Sequence, residues 1–362
     1  MTSGGLAHAD VLRPNAPPPA APLPPGPWRL TLNRLRRDRA SVTATVILVV
    51  IVILSFAGEP IGAALLGHNS TDQFPYAVDV NFKPAGPWSR VPDVGQVLVD
   101  SQGNPLAQVP PGTKTALLPL GADGPLGRDE LLRLLDGGKT TLEVAILGVV
   151  FALLIGVPIG CIGGYFGGFT DSVVSRLTEV VMAFPLILFL VFASVRLSDS
   201  LTPIGWGSIL PEGVFAVSLL IGVFTSFYPL RLVRGQLLVL RDSEFVQASH
   251  MTGASSWRIL RRHLFPHLVP TLLVWSGIAV ATNILLEVGI SFIGAGIQAS
   301  TPTWGSMLST TWGTIYSPRT YNSASFTPWQ TILPTIAILL TVVSLNQLSE
   351  GVRRAVQPWS AT

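Results

Sequence analysis

Six long apolar stretches without charged side chains at their centres divide the chain. The first, ASVTATVILVVIVILSFAG, lies between Arg39 and Glu59. The others occupy residues 144–165, 177–195, the interval between Glu212 and Arg231, 268–290 and 329–349. About 20 apolar residues in a helix cross the roughly 30 Å hydrocarbon core of a bilayer, and a charge at the centre of such a helix costs about 2.5–3.5 kcal/mol. The pattern therefore predicts an all-α polytopic membrane protein with six transmembrane helices.

Arginines are concentrated on one side of the predicted helices. They cluster at residues 29–39, at residues 231–262 and at residues 353–354. The loops on the other side, 196–212 and 291–328, contain one arginine each. Because basic loops stay in the cytoplasm, this distribution predicts that both termini are cytoplasmic.

These predictions divide the chain into consecutive segments. They are a disordered Pro-rich cytoplasmic tail (1–39), transmembrane helix 1 (40–58), an extracytoplasmic loop or subdomain (59–139), a five-helix transmembrane core (140–349) and a cytoplasmic tail (350–362). The first long loop is strand-like in YAVDVNF and GQVLVDSQGNPLAQV, which predicts a small β-containing insert between helices 1 and 2. This insert either contacts a partner or stabilises the chain.

Composition agrees with a membrane protein and excludes several kinds of site. Charged side chains make up 12% of the residues, about half the usual share, and the mean hydropathy is +0.52. A net charge of +3 gives no indication of nucleic-acid binding. Cys161 is the one cysteine, so neither a disulfide framework nor a cysteine metal site is expected. His263 and His267 lie four residues apart, but Pro266 lies between them and the glutamate of zinc proteases is missing, so no metal site is expected.

Gly138, Lys139 and Thr140 resemble the end of a phosphate-binding P-loop. That motif, G-x-x-x-x-G-K-[ST], requires a glycine at the position that Arg133 occupies. The segment also leads into an apolar stretch and does not follow a buried strand. We therefore expect no nucleotide site in this chain. Instead, Gly137 and Gly138 are expected to end a short amphipathic helix at the membrane surface.

Small residues recur at every fourth position of the second apolar stretch. They are Gly148, Ala152, Gly156, Gly160, Gly164 and Gly168. At this spacing they share one helix face, and a face of small residues lets two helices approach closely. Gly156, Gly160 and Gly164 are therefore candidate packing residues. The neighbouring helix belongs either to a partner subunit or to the same chain.

Glu287 lies inside the fifth apolar stretch, where an acidic side chain is a functional candidate by default. It serves either a structural role near one membrane surface or a role in translocation. The second role leads to an alternative function, a proton-coupled secondary transporter that uses Glu287 or Glu179. A membrane-embedded hydrolase is a further alternative, but no nucleophile–base pair lies within the spans.

Residues 241–267, RDSEFVQASHMTGASSWRILRRHLFPH, are predicted to form a helix, a break and a second helix. Gly253 ends the first helix, Ser255 is the predicted N-cap of the second, and Pro266 ends it. In the second helix Trp257, Leu260 and Leu264 are predicted to share one face, and Arg258, Arg261 and Arg262 another. Such a helix can lie on lipid headgroups or insert into a groove of a partner protein.

Residues 247–266, QASHMTGASSWRILRRHLFP, resemble the EAA loop of binding-protein-dependent ABC importer permeases. That motif is Glu-Ala-Ala, three residues, Gly, about nine residues, an apolar position and Pro. Gln247, Ala248, Ser249, Gly253 and Pro266 occupy its positions. Gln247 replaces the usual acid, for which Glu244 is a substitute three residues earlier, and Ser249 replaces the second alanine.

Further stretches resemble the dipeptide/oligopeptide (peptide/nickel) branch of this family, and specifically its C-type subunit. They are PLGADGPLGRDELLRLLDGGKTTL, GYFGGFTDSVVSRLTEVVMAFP, GAGIQASTPTWGSML and LLTVVSLNQLSEGVRRAVQP. The resemblance implies the type I ABC importer permease fold and a multi-pass location in the bacterial cytoplasmic (inner) membrane. It implies the transmembrane permease subunit of an ATP-driven importer, with dipeptides or oligopeptides as the expected cargo and nickel as another cargo of the branch.

The resemblance also implies the partners and the coupling residues. This chain would have no catalytic residue and bind no cofactor, since ATP and Mg²⁺ belong to the ATPases. The implied partners are a second homologous permease, two cytoplasmic ATPase subunits, an extracytoplasmic substrate-binding protein and membrane lipid, with no nucleic acid. Coupling to the ATPases is expected in the cytoplasmic loop 234–267, through Glu244, Gln247, Ala248, Ser249, Gly253 and Ala254.

Overall fold

Helices dominate the described part of the chain. The computed structural model describes residues 27–79, 83–97, 109–124, 126–201, 213–297, 301–316 and 327–356. Its helices there are α1 (Pro27–Arg37), α2 (Arg39–Leu66), α3 (Glu130–Phe166), α4 (Gly168–Met182), α5 (Leu186–Leu201), α6 (Val214–Thr225), α7 (Phe227–Leu240), α8 (Glu244–Met251), α9 (Ser256–Ile259), α10 (Phe265–Phe292), α11 (Trp304–Tyr316) and α12 (Pro328–Val356).

Five helical segments are long and apolar enough to cross a membrane, and a bent pair makes a sixth. The five are α2, α3, α6 with α7, α9 with α10, and α12. The pair is α4 and α5, which meet at 84°. Pro185 lies in the break between them, where its missing N–H and fixed φ oppose a continuous helix. The prediction of a helical polytopic membrane protein is confirmed.

Helix α3 lies at the centre of the bundle and packs against α2, α6, α7, α10 and α12. Its small residues permit the close approach to α10 and α7. A Cβ added at Gly148 would lie 2.9 Å from the Asn283 side chain, and one added at Gly160 would lie 2.6 Å from the backbone oxygen of Leu230. The Asn283 amide also donates to the carbonyl oxygen of Ala145 at 3.2 Å, which ties α10 to α3.

The expectation that Gly137 and Gly138 end a helix is wrong. Helix α3 runs through them without a break over 37 residues. Both are buried where other elements cross α3: Gly137 lies against the backbone of Thr303, and Gly138 lies against Ser55 and the Trp304 ring. Neighbouring elements thus offset the low helix propensity of glycine, about 1 kcal/mol per residue.

The ends of the chain differ from the predicted tails. Residues 27–37 form α1, so the predicted disordered tail 1–39 is wrong for its last part, while residues 1–26 lie outside the described residues. Contacts with α12 hold α1, including a hydrogen bond from Arg34 Nη1 to the carbonyl oxygen of Ala355 at 3.5 Å. Helix α12 likewise continues into the predicted tail 350–362, as far as Val356.

Two short antiparallel ladders lie between α2 and α3. Strand β1 (Ser89–Pro92) pairs with β2 (Thr115–Leu118), and β3 (Ala122–Asp123) pairs with β4 (Arg128–Asp129). They enclose a small apolar cluster of Phe74, Ala77, Val91, Ala116, Leu118 and Ala122. The last strand leads directly into α3, so this segment determines where α3 begins.

The predicted strand pieces do not supply these strands. In YAVDVNF the described residues contain the end of a 3₁₀ turn, Pro75–Ala77, and one bridge between Val78 and Pro84. Pro75 fixes φ at the start of that turn, and this favours the turn over a strand. Residues 80–82 and 98–108, which include most of GQVLVDSQGNPLAQV, lie outside the described residues. The loop 291–328 also contains a helix, α11, that the sequence pattern did not predict.

Candidate functional site

The loop between α7 and α10 presents a short helix to solvent. Helix α8 has one buried side chain, Val246, which is 1% exposed. Val246 packs into an apolar cluster with Cys161, Val233, Leu237, Ile259 and Leu264, from α3, α7, α9 and the turn that follows α9. The other residues of α8 are exposed or half-buried. Val246 is therefore the one buried apolar anchor of α8, and most of the remaining surface of the helix is accessible to another molecule.

The candidate coupling residues lie together on and just after α8. Glu244, Gln247, Ala248 and Gly253 are exposed, whereas Ser249 and Ala254 are half-buried. Gln247 Nε2 donates to the carbonyl oxygen of Asp242 at 3.1 Å, and Ser249 Oγ donates to that of Phe245 at 2.7 Å. These hydrogen bonds are local to the loop.

Gly253 ends the first helix, as its sequence position predicts. Its φ of +78° lies in the left-handed region, which costs a residue with a Cβ about 1–2 kcal/mol. Its N–H donates to the carbonyl oxygen of His250 at 3.0 Å, and the next N–H, of Ala254, donates to that of Ser249 at 3.1 Å. A Cβ at Gly253 would meet no described atom within 4 Å. Glycine is therefore required here for backbone conformation and not for space.

The loop is fastened to the ends of neighbouring helices. Tyr165, near the end of α3, lies 3.3 Å from His250 through its hydroxyl oxygen and Nε2. The Phe245 and His267 rings are stacked with centroids 5.6 Å apart, which links α8 to α10. These contacts connect α8 to the end of α3 and to the start of α10.

The second half of the loop differs from the prediction. Ser255 occupies the N-cap position of α9, but its side chain makes no capping hydrogen bond. The helix does not end at Pro266, since α9 continues through a π-turn, Leu260–Leu264, into α10. A π-turn contains an extra residue and shifts the register of side chains. Consequently Trp257 and Leu264 do not share a face: Trp257 is 69% exposed and Leu264 is fully buried.

The packing residues Gly156, Gly160 and Gly164 face α7 of the same chain. Gly156 lies against Ser226 and Pro229, Gly160 against Leu230 and Val233, and Gly164 against Arg234 and Leu237. Gly168, the last residue of the predicted series, lies beyond α3 at the start of α4, with a φ of +58°.

Glu287 is fully buried between α3, α10 and the start of α11. Its Oε1 accepts a hydrogen bond from Ser291 Oγ at 2.7 Å, and its Oε2 accepts one from Thr141 Oγ1 at 3.1 Å. The Trp304 N–H in turn donates to Thr141 Oγ1 at 3.2 Å. The carboxyl group thus connects three helices, and its described hydrogen bonds satisfy both oxygens. Glu179, the other candidate of the proton-coupled alternative, is exposed and lies 3.0 Å from Arg176.

A buried group of charged side chains at the start of α3 was not singled out from the sequence. Asp123 Oδ2 lies 2.7 Å from Arg128 Nη2 and 2.8 Å from Arg133 Nε, and all three side chains are at most 7% exposed. Asp129 caps α3 by accepting from the N–H groups of Leu131 and Leu132. In the sequence, the close spacing of acidic residues and arginines just before an apolar stretch is the signal that could have indicated this buried group.

His68 joins this group through Asp129. Its Nε2 lies 2.9 Å from Asp129 Oδ2, and the two side chains are at most 3% exposed. The hydrogen bond to Asp129 raises the pKa of His68, an effect that burial of the ring opposes. The charged group therefore ties the segment after α2 to the start of α3. Among the described residues no three His, Cys, Asp or Glu side chains are placed to hold a metal ion.

Two family models match the chain. The model described as "Binding-protein-dependent transport system inner membrane component" matches residues 156–361. The model described as "N-terminal TM domain of oligopeptide transport permease C" matches residues 26–84.

Individual proteins are similar over longer parts of the chain. The glutathione transport system permease protein GsiD of Pectobacterium atrosepticum is 32% identical over 239 residues, 66% of this chain and 72% of that protein. The dipeptide transport system permease protein DppC of Alkalihalophilus pseudofirmus is 28% identical over 356 residues, 97% of each. A chain of the MetNI methionine ABC transporter, solved in inward-facing conformations, is 20% identical, with a TM-score of 0.45 over 62% of this chain and 95% of that one. The proton-coupled alternative finds no support in these comparisons.

Proposed function

The chain belongs to the family of binding-protein-dependent transport system inner membrane components, and from this premise we propose how it works as an ABC permease subunit. It forms half of a translocation pathway whose other half is a second, homologous permease. Both termini and the α7–α10 loop face the cytoplasm, and the segment between α2 and α3 faces the other side. The observation that carries the proposal is the exposed helix α8, fastened through Val246 to α3, α7 and α9.

Helix α8 transmits the movement of a cytoplasmic ATPase to the membrane helices. Glu244, Gln247, Ala248 and Ser249 enter a groove of the ATPase, and Gly253 and Ala254 fix the direction in which the chain leaves it. When two ATPase subunits close around ATP, α8 is displaced. The stacked pair of Phe245 and His267 passes that displacement to α10. ATP and Mg²⁺ stay on the ATPases.

The cargo is a short peptide. The similar proteins named above are permeases of glutathione and dipeptide transport systems. Delivery requires an extracytoplasmic substrate-binding protein, which selects the peptide before it reaches the permease.

A substitution at Gly253 tests the coupling role. Gly253→Leu places a side chain at a positive φ on the surface that meets the ATPase, and Gly67→Leu is a matched control. Gly67 has a φ of +81°, and a Cβ there would also meet nothing within 4 Å, but it ends α2 at the other end of the bundle. Both variants carry the same backbone strain, about 1–2 kcal/mol.

The measurement is ATP hydrolysis by the purified complex, with and without binding protein loaded with mixed short peptides. We expect Gly253→Leu to abolish the stimulation of ATP hydrolysis by the loaded binding protein, and Gly67→Leu to keep it. Stimulation of ATP hydrolysis in Gly253→Leu equal to that of the native chain would refute the coupling role. An ATPase that co-purifies but ignores loaded peptides would refute the cargo and leave the ABC mechanism intact.

The segment between α2 and α3 contacts the binding protein. Trp88 supports this role, because its side chain is 74% exposed and its φ of +60° is unfavourable for a residue with a Cβ. Exposed tryptophans are frequent energetic centres of interfaces, and strained residues mark functional positions. Trp88→Gly removes the ring and relieves the strain, whereas Arg90→Ala removes an exposed side chain two residues away. We expect only Trp88→Gly to weaken binding-protein affinity, and equal affinities would exclude Trp88 from the interface.

A further inference from the structure

Three exposed arginines before α10 are not used by the coupling role. Arg258, Arg261 and Arg262 line a surface concavity together with Ser255 and Trp257. The volume accessible within it is about 480 Å³. No carboxylate lines this concavity, and none of the three guanidinium groups forms an ion pair with any described residue. Three positive charges therefore converge on a space that lacks a negative partner.

The position of the arginines along the helix places them at a membrane surface. The exposed apolar side chains of α10 begin at Phe265 and end at Phe292. At about 1.5 Å per residue, this distance is roughly 40 Å, close to the thickness of a bilayer with its headgroup regions. Arg261 and Arg262 precede Phe265 by four and three residues, so they lie about 5–6 Å beyond that boundary. Arginine side chains are long enough to reach back to it.

Trp257 gives independent support for this depth. Its ring is 69% exposed and lies in the same concavity as the arginines. In α9 it lies two residues before Ile259, so its ring faces away from the apolar cluster that buries Ile259. Tryptophan is enriched where a membrane meets water, because its ring is apolar and its N–H needs a partner.

We propose that Arg258, Arg261, Arg262 and Trp257 form a binding site for the headgroup of an anionic phospholipid. The guanidinium groups hold the phosphate through charge-assisted hydrogen bonds, and the Trp257 ring lies beside the glycerol backbone. The loop thus has two separate surfaces: α8 faces the ATPase, and the arginine site fixes the start of α10 to the membrane. The proposal rests on membrane insertion of the chain and not on its cargo or its ATPase.

Binding of a short-chain lipid to the full-length chain in detergent tests the proposal. Dihexanoyl-phosphatidylglycerol is added while tryptophan emission is recorded, and the same titration of Trp257→Phe is subtracted. We expect a saturable change in this difference. Each basic side chain near an anionic lipid surface contributes about a fivefold change in affinity, so Arg258→Gln, Arg261→Gln and Arg262→Gln together should weaken binding on the order of a hundredfold.

Matched controls separate the lipid from other ligands. Arg353→Gln with Arg354→Gln removes two exposed arginines that already have Glu350 and Asp38 as partners, and should leave binding unchanged. Dihexanoyl-phosphatidylcholine and inorganic phosphate should give no saturable change. The proposal is overturned if either of them gives the same saturable change as the phosphatidylglycerol, or if the triple variant binds the phosphatidylglycerol with unchanged affinity.

A second measurement separates this site from a protein interface. The assembled complex is titrated in the same way after its ATPase is added back. Undiminished lipid binding supports the proposal, whereas loss of lipid binding would assign the arginines to the ATPase interface and overturn it. If the triple variant does not fold, the three single arginine variants are titrated in its place.

Discussion

The start of α3 and the loop between α7 and α10 hold their charged residues in opposite ways. At the start of α3, Asp123, Arg128 and Arg133 are almost fully buried, and the Asp123 carboxylate lies within 2.8 Å of a nitrogen of each arginine. In the loop, Arg258 and Arg261 are exposed and have no ion pair among the described residues. Buried charges lose stability when one partner is removed, whereas exposed charges contribute little to it. The first region therefore maintains the fold, and the second is available for interactions.

Removal of the Asp123 charge should have the largest effect on stability. Asp123→Asn leaves the Arg133 guanidinium, whose side chain is 1% exposed, without its carboxylate. The expected loss is about 3–5 kcal/mol, visible as a lower thermal unfolding midpoint and a lower yield of folded chain in detergent. The control is Glu179→Gln, which breaks an exposed pair with Arg176 worth at most about 1 kcal/mol. Equal midpoints for the two variants would remove the distinction between the regions.

A methyl group at Gly160 should have the next largest effect. Its Cβ would lie 2.6 Å from the backbone oxygen of Leu230 and 3.1 Å from its Cα, so α3 and α7 would have to separate. Overpacking of this kind costs about 1–3 kcal/mol. Gly235→Ala is the matched control on α7, because a Cβ there meets nothing within 4 Å, and it should stabilise the helix by about 0.5–1 kcal/mol. Relative to the native chain, Gly160→Ala should lower the thermal unfolding midpoint and Gly235→Ala should raise it. A lower midpoint for Gly235→Ala would contradict this expectation.

Much of this architecture could be predicted because it depends on local patterns. Apolar runs between charged residues located the spanning helices, and the left-handed conformation of Gly253 follows from the position of glycine after a short helix. The helical conformation of Gly137 and Gly138 could not be predicted, because it depends on Thr303 and Trp304, which are distant in sequence.

The buried pair of His68 and Asp129 could not be predicted for the same reason. His68 is 61 residues from Asp129, and nothing local to either residue indicates the pair. Likewise, a pattern with the ordinary helical period places Trp257 and Leu264 on one face, because it does not include the π-turn between them. In the candidate site, the positions of the coupling residues could be predicted from sequence, but their anchorage through Val246 could not.

The pair of His68 and Asp129 should make the buried region sensitive to pH. Because the hydrogen bond to Asp129 raises the pKa of His68 above its usual value near 6.5, protonation of His68 favours the folded state. Its contribution is complete below pH about 6.5 and is lost as the pH rises through the raised pKa of the folded state. We expect the unfolding midpoint to fall by a few degrees over this interval. His68→Gln should reduce the fall, and an identical pH profile for the variant would exclude the pair as its cause.

The smallest effect on stability is expected at Gln247, in the exposed loop. Gln247→Glu removes one hydrogen bond, from Nε2 to the carbonyl oxygen of Asp242, and adds a negative charge to an exposed side chain of a short helix. Exposed substitutions of this kind change stability by less than about 0.5 kcal/mol, so the unfolding midpoint should not move. If α8 enters an ATPase groove, however, the same change should alter the amount of ATPase that co-purifies. A stable variant with altered ATPase binding would sharpen the contrast between the regions, and a shifted midpoint would show that the loop also maintains the fold.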